Sequence, residues 1–451
     1  MSNQVEYSSQ ASLVSLGERF QQMGIWAVIE ETVTIKQKTH THRPSEKLLD
    51  CFINMLAGGI GLVEVNTRVR PDTAVQRAFG RQGCAEQSTI SRTVNACTAE
   101  SVKQMRAAMT TIFRQHSRGY QHDYTQKMQL IDMDVTGMPA GRQGEGVMKG
   151  YFADQKNRRG RQLGCVLVTR YDEIVVEQLY DGKRQLDVSV PDLLREAEHV
   201  LGLNEATPEV ERAKQNTVFR VDAGGGTDDD INLILSRGYH VFIKLKHWKR
   251  AAKLARSVSQ WHADPKIVGR EVGWVQLPHA YQRLTRQLAI RNLKDDGTWS
   301  YHVLIFTLTD EQIRALVGVD GLGSSSDPVV FMLRALHFYD LRGGGLETQF
   351  KSDKQGLGLS HRNTKRFAAQ EILILLGQLA HNFIIWIRDD LARVDKRFLN
   401  FGIKRMVRDA FHIDGTVTLS DSGSVTQIVL NVRHPFAAAF HNAFNTFLTP
   451  L

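Results

Sequence analysis

Three acidic residues lie at positions where a carboxylate could bind a ligand or a metal ion. Asp134 closes a β-rich segment, Ile131–Val135, and Asp222 closes a second one that three glycines follow. Residues at the ends of strands in α/β sheets face the crevice where ligands usually bind. Glu347 follows another run of three glycines. Carboxylate oxygens suit Mg²⁺ or Mn²⁺, and two such ions about 4 Å apart activate a water or a 3′-hydroxyl. The three acids together therefore indicate phosphodiester chemistry.

Two lysines accompany the third acid. Glu347, Lys351 and Lys354 have the spacing i, i+4 and i+7, which places them on one face of a helix. Such a face can hold a metal ion through the carboxylate and phosphates through the lysines. It is also the spacing of an ordinary solvent-exposed Glu–Lys pair, and from spacing alone that interpretation is favoured. Glycine costs a helix interior roughly 1 kcal/mol per residue, so we expect a break at Gly343–Gly345 and a helix start near Leu346.

The first two acids belong to a predicted order of strands and helices. Pro191 is expected to open one helix, and Asp228–Ser236 is predicted to form another. Asp228, Asp229 and Asp230 are expected to cap and charge that second helix rather than to bind a catalytic metal. The order predicts a mixed sheet covered by helices. The predicted strands are Met128–Val135, Gln162–Arg170, Ile174–Tyr180, Thr217–Val221 and Tyr239–Lys244.

Residues 250 to 325 have a different pattern, which predicts a β-rich insertion. Its strand-like segments are Glu271–Leu277, Arg283–Arg291 and Tyr301–Leu308, and the Gly/Ser-rich stretch Gly321–Asp327 is a candidate linker. Tryptophans at 261, 274 and 299 flank this insertion and are expected to pack rather than to stack on bases. After it, Val329–Tyr339 is predicted to be helical, and Arg366–Ile387 is apolar on most sides, which is typical of a buried helix.

The first 120 or so residues are predicted to be mostly helical. Thr73–Phe79, with Asp72 as its N-cap, and Glu86–Ala96 form the outline of a helix-turn-helix. The second helix carries side chains able to contact bases and phosphates. The alternative is simply two packed helices of an all-helical domain. The candidate DNA contacts include Ser88, Thr89 and Arg92, together with Gln87 and Ser91.

The net charge, the cysteine spacing and the most apolar run of the chain limit the classes of protein to which it could belong. The chain of 451 residues carries 57 Lys and Arg against 48 Asp and Glu, a net charge of +9, which makes a polyanion such as nucleic acid a plausible partner. The 4 cysteines form no CxxC pair, so neither a zinc ribbon nor a disulfide framework is indicated, and a reducing cytosol is expected. The most apolar run, Ile372–Ile387, is interrupted by polar residues, so no membrane span is expected.

Four segments carry a resemblance to a known family: Ile131–Pro139, Phe219–Ile231, Tyr339–Lys354 and Phe367–Asn382. They resemble the DDE transposases of bacterial insertion sequences, which have an RNase H-like catalytic core. The third segment is the most specific, because it looks like the Tyr-x2-Arg-x3-Glu-x6-Lys signature of one large branch. Here four residues rather than three separate Arg342 from Glu347. The triple glycine is expected to absorb the extra residue. Otherwise Glu347 is rotated by about 100° on its helix.

The resemblance implies roles for these residues. Asp134, Asp222 and Glu347 would bind the catalytic Mg²⁺ or Mn²⁺ ions, and Asp132 is the competing candidate for the first acid. Asp134 is preferred because the family places this acid two residues before a Thr or Ser, here Thr136; Asp132 would then support it. The implied contacts to DNA phosphates are Tyr339, Arg342, Lys351 and Lys354, with Lys244 as a further candidate beside Lys246.

The sequence therefore predicts an α/β protein with an RNase H-like mixed-sheet core. The predicted function is a DNA transposase that binds terminal inverted repeats of double-stranded DNA, cuts strands and joins them to target DNA. Alternatives are a catalytically inactive transposase-derived DNA-binding regulator and a metal-dependent DNA nuclease. A homo-oligomer on paired ends and a cytoplasmic, nucleoid-associated location are expected. The predicted domains are a helical DNA-binding domain at 1–122, the core at 123–248 and 328–390, the insertion at 249–327 and a C-terminal region at 391–451.

Overall fold

The N-terminal part of the chain is helical, as its sequence predicts. A computed structural model describes residues 4–38, 41–150, 152, 158–317 and 327–447. Asp72 caps its helix, because its carboxylate accepts a hydrogen bond from the backbone N–H of Val75 at 3.0 Å. The elements are β1 (Gln4–Ser8), α1 (Ala11–Gln22), α2 (Ile25–Thr32), α3 (Pro44–Leu56), α4 (Val65–Arg68), α5 (Thr73–Ala78), α6 (Gln87–Ala96) and α7 (Ala99–His116).

A large mixed sheet follows. Its strands are β2 (Gln129–Pro139), β3 (Met148–Lys149), β4 (Arg159–Val168), β5 (Glu173–Tyr180), β6 (Thr217–Val221), β7 (His240–Lys244), β8 (His262–Ala263), β9 (Arg270–Trp274), β10 (Arg286–Leu293) and β11 (Trp299–Phe306). The helices among them are α8 (Leu186–Leu201), α9 (Pro208–Gln215), α10 (Asp228–Ser236), α11 (Trp248–Ala255) and α12 (Asp310–Val317). The predicted strands and the helix at 228–236 are thus present with small shifts of their ends.

The strand order positions the acids. Five strands run in the order β5-β4-β2-β6-β7, in which β4 is antiparallel to both its neighbours while β2, β6 and β7 are parallel. Met133 pairs with Val221, and Val221 pairs with Ile243. The next residues along these three strands are Asp134, Asp222 and Lys244, so they lie side by side where the parallel pairing of β2 with β6 stops. The prediction that Asp134 closes its strand is wrong, because β2 continues to Pro139 through its pairing with β4.

The segment predicted as a β-rich insertion extends the same sheet. β11 pairs with the free side of β7 in antiparallel fashion, and β10, β9 and β8 follow outward. Trp261 and Trp299 pack on the two sides of the Arg291 guanidinium, at 4.4 and 4.3 Å. Trp274 packs against Phe306. The tryptophans therefore pack, as expected. Residues 321–326 of the candidate linker lie outside the described residues.

The rest of the chain is mainly helical. It contains α13 (Pro328–Arg342), a π-helical turn (Gly343–Glu347), α14 (Thr348–Gly356), α15 (Phe367–Val394), α16 (Ile403–Arg405), β12 (Gly415–Leu419), β13 (Val425–Leu430) and α17 (Ala437–Phe447). By length and composition α15 could cross a membrane, but 89% of its most apolar window is buried inside the protein, as in the central helix of a folded domain.

The hydrophobic core crosses two of the predicted domain boundaries. β1 pairs with β12, which joins the first residues to the C-terminal region. Phe52 of α3, Phe383 of α15 and Phe440 of α17 belong to one buried cluster. The N-terminal helices, α15 and the C-terminal region therefore stabilise one another by burying the same apolar surface. The boundaries at 122 and 390 stay a prediction.

The helix start at Pro191 was placed wrongly by the sequence pattern. Helix α8 begins at Leu186 and carries Pro191 inside it. Proline is favoured at the first position of a helix because it lacks a backbone N–H, and within a helix it costs one hydrogen bond. Here Leu186, Val190 and Leu194 are buried on one side of the helix, and this burial offsets the lost bond.

Candidate active site

The three predicted acids converge on one guanidinium. Nη1 of Arg342 lies 2.9 Å from Oδ2 of Asp134, and Nη2 lies 3.3 Å from Oδ1 of Asp222 and 2.9 Å from Oε1 of Glu347. These acids come from β2, from the residue after β6, and from the π-helical turn. The fold thus brings together side chains that are far apart in sequence, where the parallel pairing of β2 with β6 stops.

The π-helical turn accounts for the extra residue between Arg342 and Glu347. In a regular α-helix, residues five apart point in different directions, because each residue advances the chain by about 100°. The turn Gly343–Glu347 takes up one additional residue, and its backbone kinks at Gly345, with φ −89° and ψ −105°. Arg342 and Glu347 consequently share a side and hydrogen-bond at 2.9 Å. The predicted break is a kink in a nearly continuous helix.

Asp132 has a partner of its own. Its two carboxylate oxygens accept hydrogen bonds from Nε and Nη2 of Arg220, both at 2.7 Å, and both side chains are buried. Nη1 of Arg220 donates to the backbone carbonyl of Phe338 in α13 at 2.7 Å. Asp132 therefore lies beneath the cluster of acids and connects β2 and β6 to the helix that carries Arg342. It does not contact Arg342, unlike Asp134.

Tyr339 and Arg342 both face the acids. The Tyr339 hydroxyl donates to Oδ1 of Asp222 at 3.1 Å. Burial, and next the negative charge of Asp222, hold the pKa of Tyr339 well above its ordinary value, so the phenol keeps its proton. The resemblance assigns these two residues to DNA phosphates; in this structure they bind carboxylates instead. A contact with DNA stays a prediction for both.

Burial and the neighbouring charges shift the pKa values of Asp134 and Arg342. Burial raises the pKa of the Asp134 carboxyl to about 6; Arg342 lowers it and Asp222 raises it further. For Arg342, burial alone would lower the pKa, but the carboxylates of Asp222 and Asp134 outweigh it, and the net shift is upward. The guanidinium therefore stays charged and holds the acids in place.

A cavity of about 560 Å³ opens beside the acids and carries basic side chains. Lys354 crosses its floor and donates to Oγ1 of Thr136 at 2.7 Å and to the carbonyl oxygen of Gly137 at 3.0 Å. Burial lowers the pKa of Lys354, and the charge of Glu177 opposes that shift. Thr136 therefore anchors the lysine from the strand that bears Asp134. The lining includes Asp134, Thr136, Glu347, Lys351, Lys354 and His361.

Helix α14, which carries both lysines, is held by a buried ion pair. Asp353, predicted to point away from the Glu347 face, accepts from Nδ1 of His381 in α15 at 2.9 Å, and both side chains are buried. In turn α15 is held on β5, because the Asn382 side chain exchanges two hydrogen bonds with the backbone of Ile174, at 2.8 and 2.9 Å. These contacts position the floor of the cavity against the sheet.

The sequence analysis missed His302. It lies on β11, two residues from Leu304, which pairs with Lys244. Burial lowers the pKa of His302 to about 4, with Lys244 lowering it further and Asp222 opposing. A neutral imidazole therefore lies next to Asp222 and Lys244. Only the pairing of β11 with β7 reveals this neighbour, so no local signal in the sequence pointed to it.

Comparisons with known proteins were made for the whole chain. No family model matches it, and no curated protein is similar to it in sequence. Among solved structures it is similar to the piggyBac transposase in a synaptic complex with hairpin DNA. The TM-score is 0.42, with 10% identity, over 91% of this chain and 84% of that chain.

The donor chemistry of the site fits a divalent cation. Three carboxylates surround one guanidinium, so its single positive charge leaves the cluster with excess negative charge. Oxygen donors of this kind suit Mg²⁺ and Mn²⁺. Within the described ranges, no group of three or more His, Cys, Asp or Glu side chains is arranged to hold a metal ion. The guanidinium of Arg342 contacts all three acids instead.

The predicted DNA contacts Ser88, Thr89 and Arg92 all lie on α6, which carries none of the three acids. In α6, the Ser88 hydroxyl donates to the Glu86 carboxylate at 3.0 Å and the Thr89 hydroxyl to the Glu86 carbonyl at 2.8 Å, while Arg92 is exposed. Helix α6 packs on α3 and α15, and α5 packs on α1. This packing suits the alternative of two packed helices, and DNA contact by α6 stays a prediction.

The three acids that open α10 lie in its first turn but do not occupy the N-cap position, so the prediction that they cap this helix is wrong. Thr227 is the N-cap, and its hydroxyl hydrogen-bonds the Asp230 backbone and carboxylate. Asp228 pairs with Arg250. Negative charge in the first turn of a helix interacts favourably with the helix dipole. The prediction that Asp228, Asp229 and Asp230 charge this helix end is therefore confirmed.

Proposed function

We propose that the chain is a DNA transposase with an RNase H-like catalytic core. The single observation that carries the proposal is the convergence of Asp134, Asp222 and Glu347 on Arg342. The sheet supports the proposal. An RNase H-like core is expected to have three antiparallel strands followed by two parallel ones, with the first acid on the central strand. The order β5-β4-β2-β6-β7, with Asp134 on β2, has this arrangement. The net charge of +9 suits a DNA partner.

In this proposal Asp134, Asp222 and Glu347 would hold two Mg²⁺ or Mn²⁺ ions, which would supply activation of the attacking water or hydroxyl and stabilisation of the leaving oxygen. Arg342 keeps the carboxylates together before the ions bind. Tyr339 holds a proton on Oη and donates it in a hydrogen bond to Asp222, which orients that carboxylate. Asp132 and Arg220 position β2 and α13 from below.

The basic side chains of the cavity bind the DNA backbone in the same proposal. Lys351 is exposed at its rim and Lys354 forms its floor. Lysine binds phosphate as a point charge, so the two residues hold the strand next to Asp134 and Glu347. The resemblance further implies a homo-oligomer on paired DNA ends and a cytoplasmic, nucleoid-associated location, and both stay part of the proposal.

The test measures cutting and joining separately from binding. The substrate is a duplex that contains the coding region with its native flanking DNA on both sides, incubated with Mg²⁺ or Mn²⁺. Asp134→Ala, Asp222→Ala and Glu347→Ala are compared with wild type, and Asp229→Ala is the matched control, because Asp229 is an exposed acid of α10 outside the site. We expect the first three variants to lose cleavage and strand transfer while they still bind DNA.

Each other outcome assigns a different function. If the three variants cut like wild type, the catalytic assignment is wrong. Wild type that binds the flanking DNA but never cuts it would be a DNA-binding regulator. Wild type that cuts without joining would be a metal-dependent nuclease. The extra residue before Glu347 is the main argument for an inactive regulator, but the π-helical turn accommodates that residue.

A further inference from the structure

The segment Lys244–Arg256 is strongly basic. It contains 6 Lys and Arg residues and no Asp or Glu. Two of these cations are held in ion pairs, since Lys246 pairs with Asp187 and Arg250 pairs with Asp228. The others on α11 face solvent. We call this exposed set, formed by Trp248, Lys249, Lys253 and Arg256, the α11 face.

An exposed tryptophan makes the α11 face unusual. The side chain of Trp248 is 69% exposed, and the Lys249 ammonium lies 5.6 Å from its ring centre. The opposite side of the helix is buried through Ala251, Leu254 and Ala255, so the helix is already anchored without Trp248. Large aromatic side chains left in water beside cations are typical of binding surfaces.

The α11 face is fixed close to the acids. Helix α11 starts four residues after the end of β7, the strand next to the one that leads to Asp222. The backbone N–H of Lys246 donates to the carbonyl oxygen of Gly226 at 2.9 Å. A Cβ atom on Gly226 would lie only 2.0 Å from the Lys244 carbonyl oxygen, so glycine is required for this approach. The loop after Asp222 and the start of α11 therefore form one rigid unit.

We propose that the α11 face binds the backbone of double-stranded DNA next to the candidate active site. The inference rests on the proposed function and adds a second contact to the one proposed for Lys351 and Lys354. Lys249, Lys253 and Arg256 are one helical turn apart, about 5.4 Å, and each faces a phosphate. The Trp248 ring packs on a deoxyribose, and its indole N–H donates to a phosphate oxygen.

The test is DNA binding by the full-length protein without metal ions, so that no cleavage occurs. The probe is a fluorescein-labelled duplex of the native flanking DNA, titrated at several salt concentrations. The variants are Trp248→Ala, Trp248→Phe and Lys249→Ala/Lys253→Ala. Tyr7→Ala is the control for the aromatic residue, because Tyr7 is also 69% exposed. Lys103→Ala/Lys396→Ala removes the same charge from exposed positions elsewhere. Circular dichroism verifies that each variant is folded.

We expect Lys249→Ala/Lys253→Ala to bind more weakly and to lower the slope of log K against log salt by about 2. Trp248→Ala is expected to bind about fivefold more weakly, the loss that corresponds to one hydrogen bond of about 1 kcal/mol, and Trp248→Phe is expected to recover the packing part of that loss. Equal losses in the control variants would overturn the inference. If wild type binds and cuts DNA while the α11 variants bind as wild type does, the inference fails and the proposed function stands. Wild type that binds no duplex refutes both.

Discussion

Asp132 and Arg220 face each other as register partners on the parallel strands β2 and β6, and their side chains form two hydrogen bonds of 2.7 Å each. Neither side chain is more than 1% exposed. The pair lies two residues earlier along the strands than Asp134 and Asp222. A third bond from Arg220 to the Phe338 carbonyl links the strands to α13. This pairing explains why Asp132 and Asp134, which lie on the same strand, have different partners.

We expect Asp132→Asn to destabilise the protein by about 3–5 kcal/mol, because it leaves the Arg220 guanidinium buried without its counter-charge. The double variant Asp132→Leu/Arg220→Met is expected to lose less stability, since neither unpaired charge remains. The measurement is the free energy of unfolding in urea, with Asp229→Asn as the control on an exposed acid. A change in cleavage with unchanged stability for Asp132→Asn would instead make Asp132 a catalytic ligand.

Deleting Gly343 tests the π-helical turn. The deletion restores three residues between Arg342 and Glu347 and allows a continuous α-helix, in which positions i and i+4 share a face. We therefore expect the variant to fold, to keep Glu347 beside Arg342 and to retain cleavage. Insertion of an alanine after Gly343 is the opposite change, and it is expected to rotate Glu347 by about 100° and abolish cleavage. Equal activity of deletion and insertion would show that the turn does not set the direction of Glu347.

Replacing Arg342 should increase the response to metal ions. The guanidinium lies 2.9 Å from Asp134 and from Glu347, so it competes with any cation for the same oxygens. In Arg342→Gln the acids repel one another, and a divalent ion relieves that repulsion. We expect a larger rise of the melting temperature with added Mn²⁺ than in wild type, measured without DNA. Asp222→Asn/Arg342→Gln is the control, with a smaller rise. Identical Mn²⁺ responses of wild type and Arg342→Gln would contradict this competition.

Glu18 on α1 is expected to make stability depend on pH. Burial raises its pKa from 4.5 to about 7. A carboxyl with a raised pKa in the folded state binds its proton more tightly there than in the unfolded chain. Its contribution to stability is therefore present below the unfolded value of 4.5 and is lost as the pH rises through about 7. Glu18→Gln should thus be more stable than wild type at pH 8, by about 1 kcal/mol.

The same variant should match wild type at pH values well below 4.5, where the carboxyl holds its proton in both the folded and the unfolded state. The measurement is thermal unfolding across the pH range, and Glu31→Gln serves as the control because Glu31 is an exposed residue of α2. A constant difference between Glu18→Gln and wild type at every pH would show that packing, rather than the buried charge, is responsible.

Local signals predicted much of the sheet and of the helix ends. Thr217–Val221 and Asp228–Ser236 were predicted with the bounds that the structure shows. Both are short segments with clear limits, a β-rich run in the first case and acids at the start of a helix in the second, and such signals act over a few residues. Pro191 misled the prediction because the burial that keeps it inside a helix comes from distant residues.

The types and approximate positions of the three acids were determined by the sequence alone, since Asp134 lies in a β-rich segment, Asp222 follows another and Glu347 follows a glycine run. Only the tertiary structure decided their partners. The pairing of Asp132 with Arg220 depends on the register of β2 and β6, and the place of His302 depends on β11 joining β7. Strand pairing and buried charge depend on contacts between residues far apart in the chain, and no local pattern of residues encodes them.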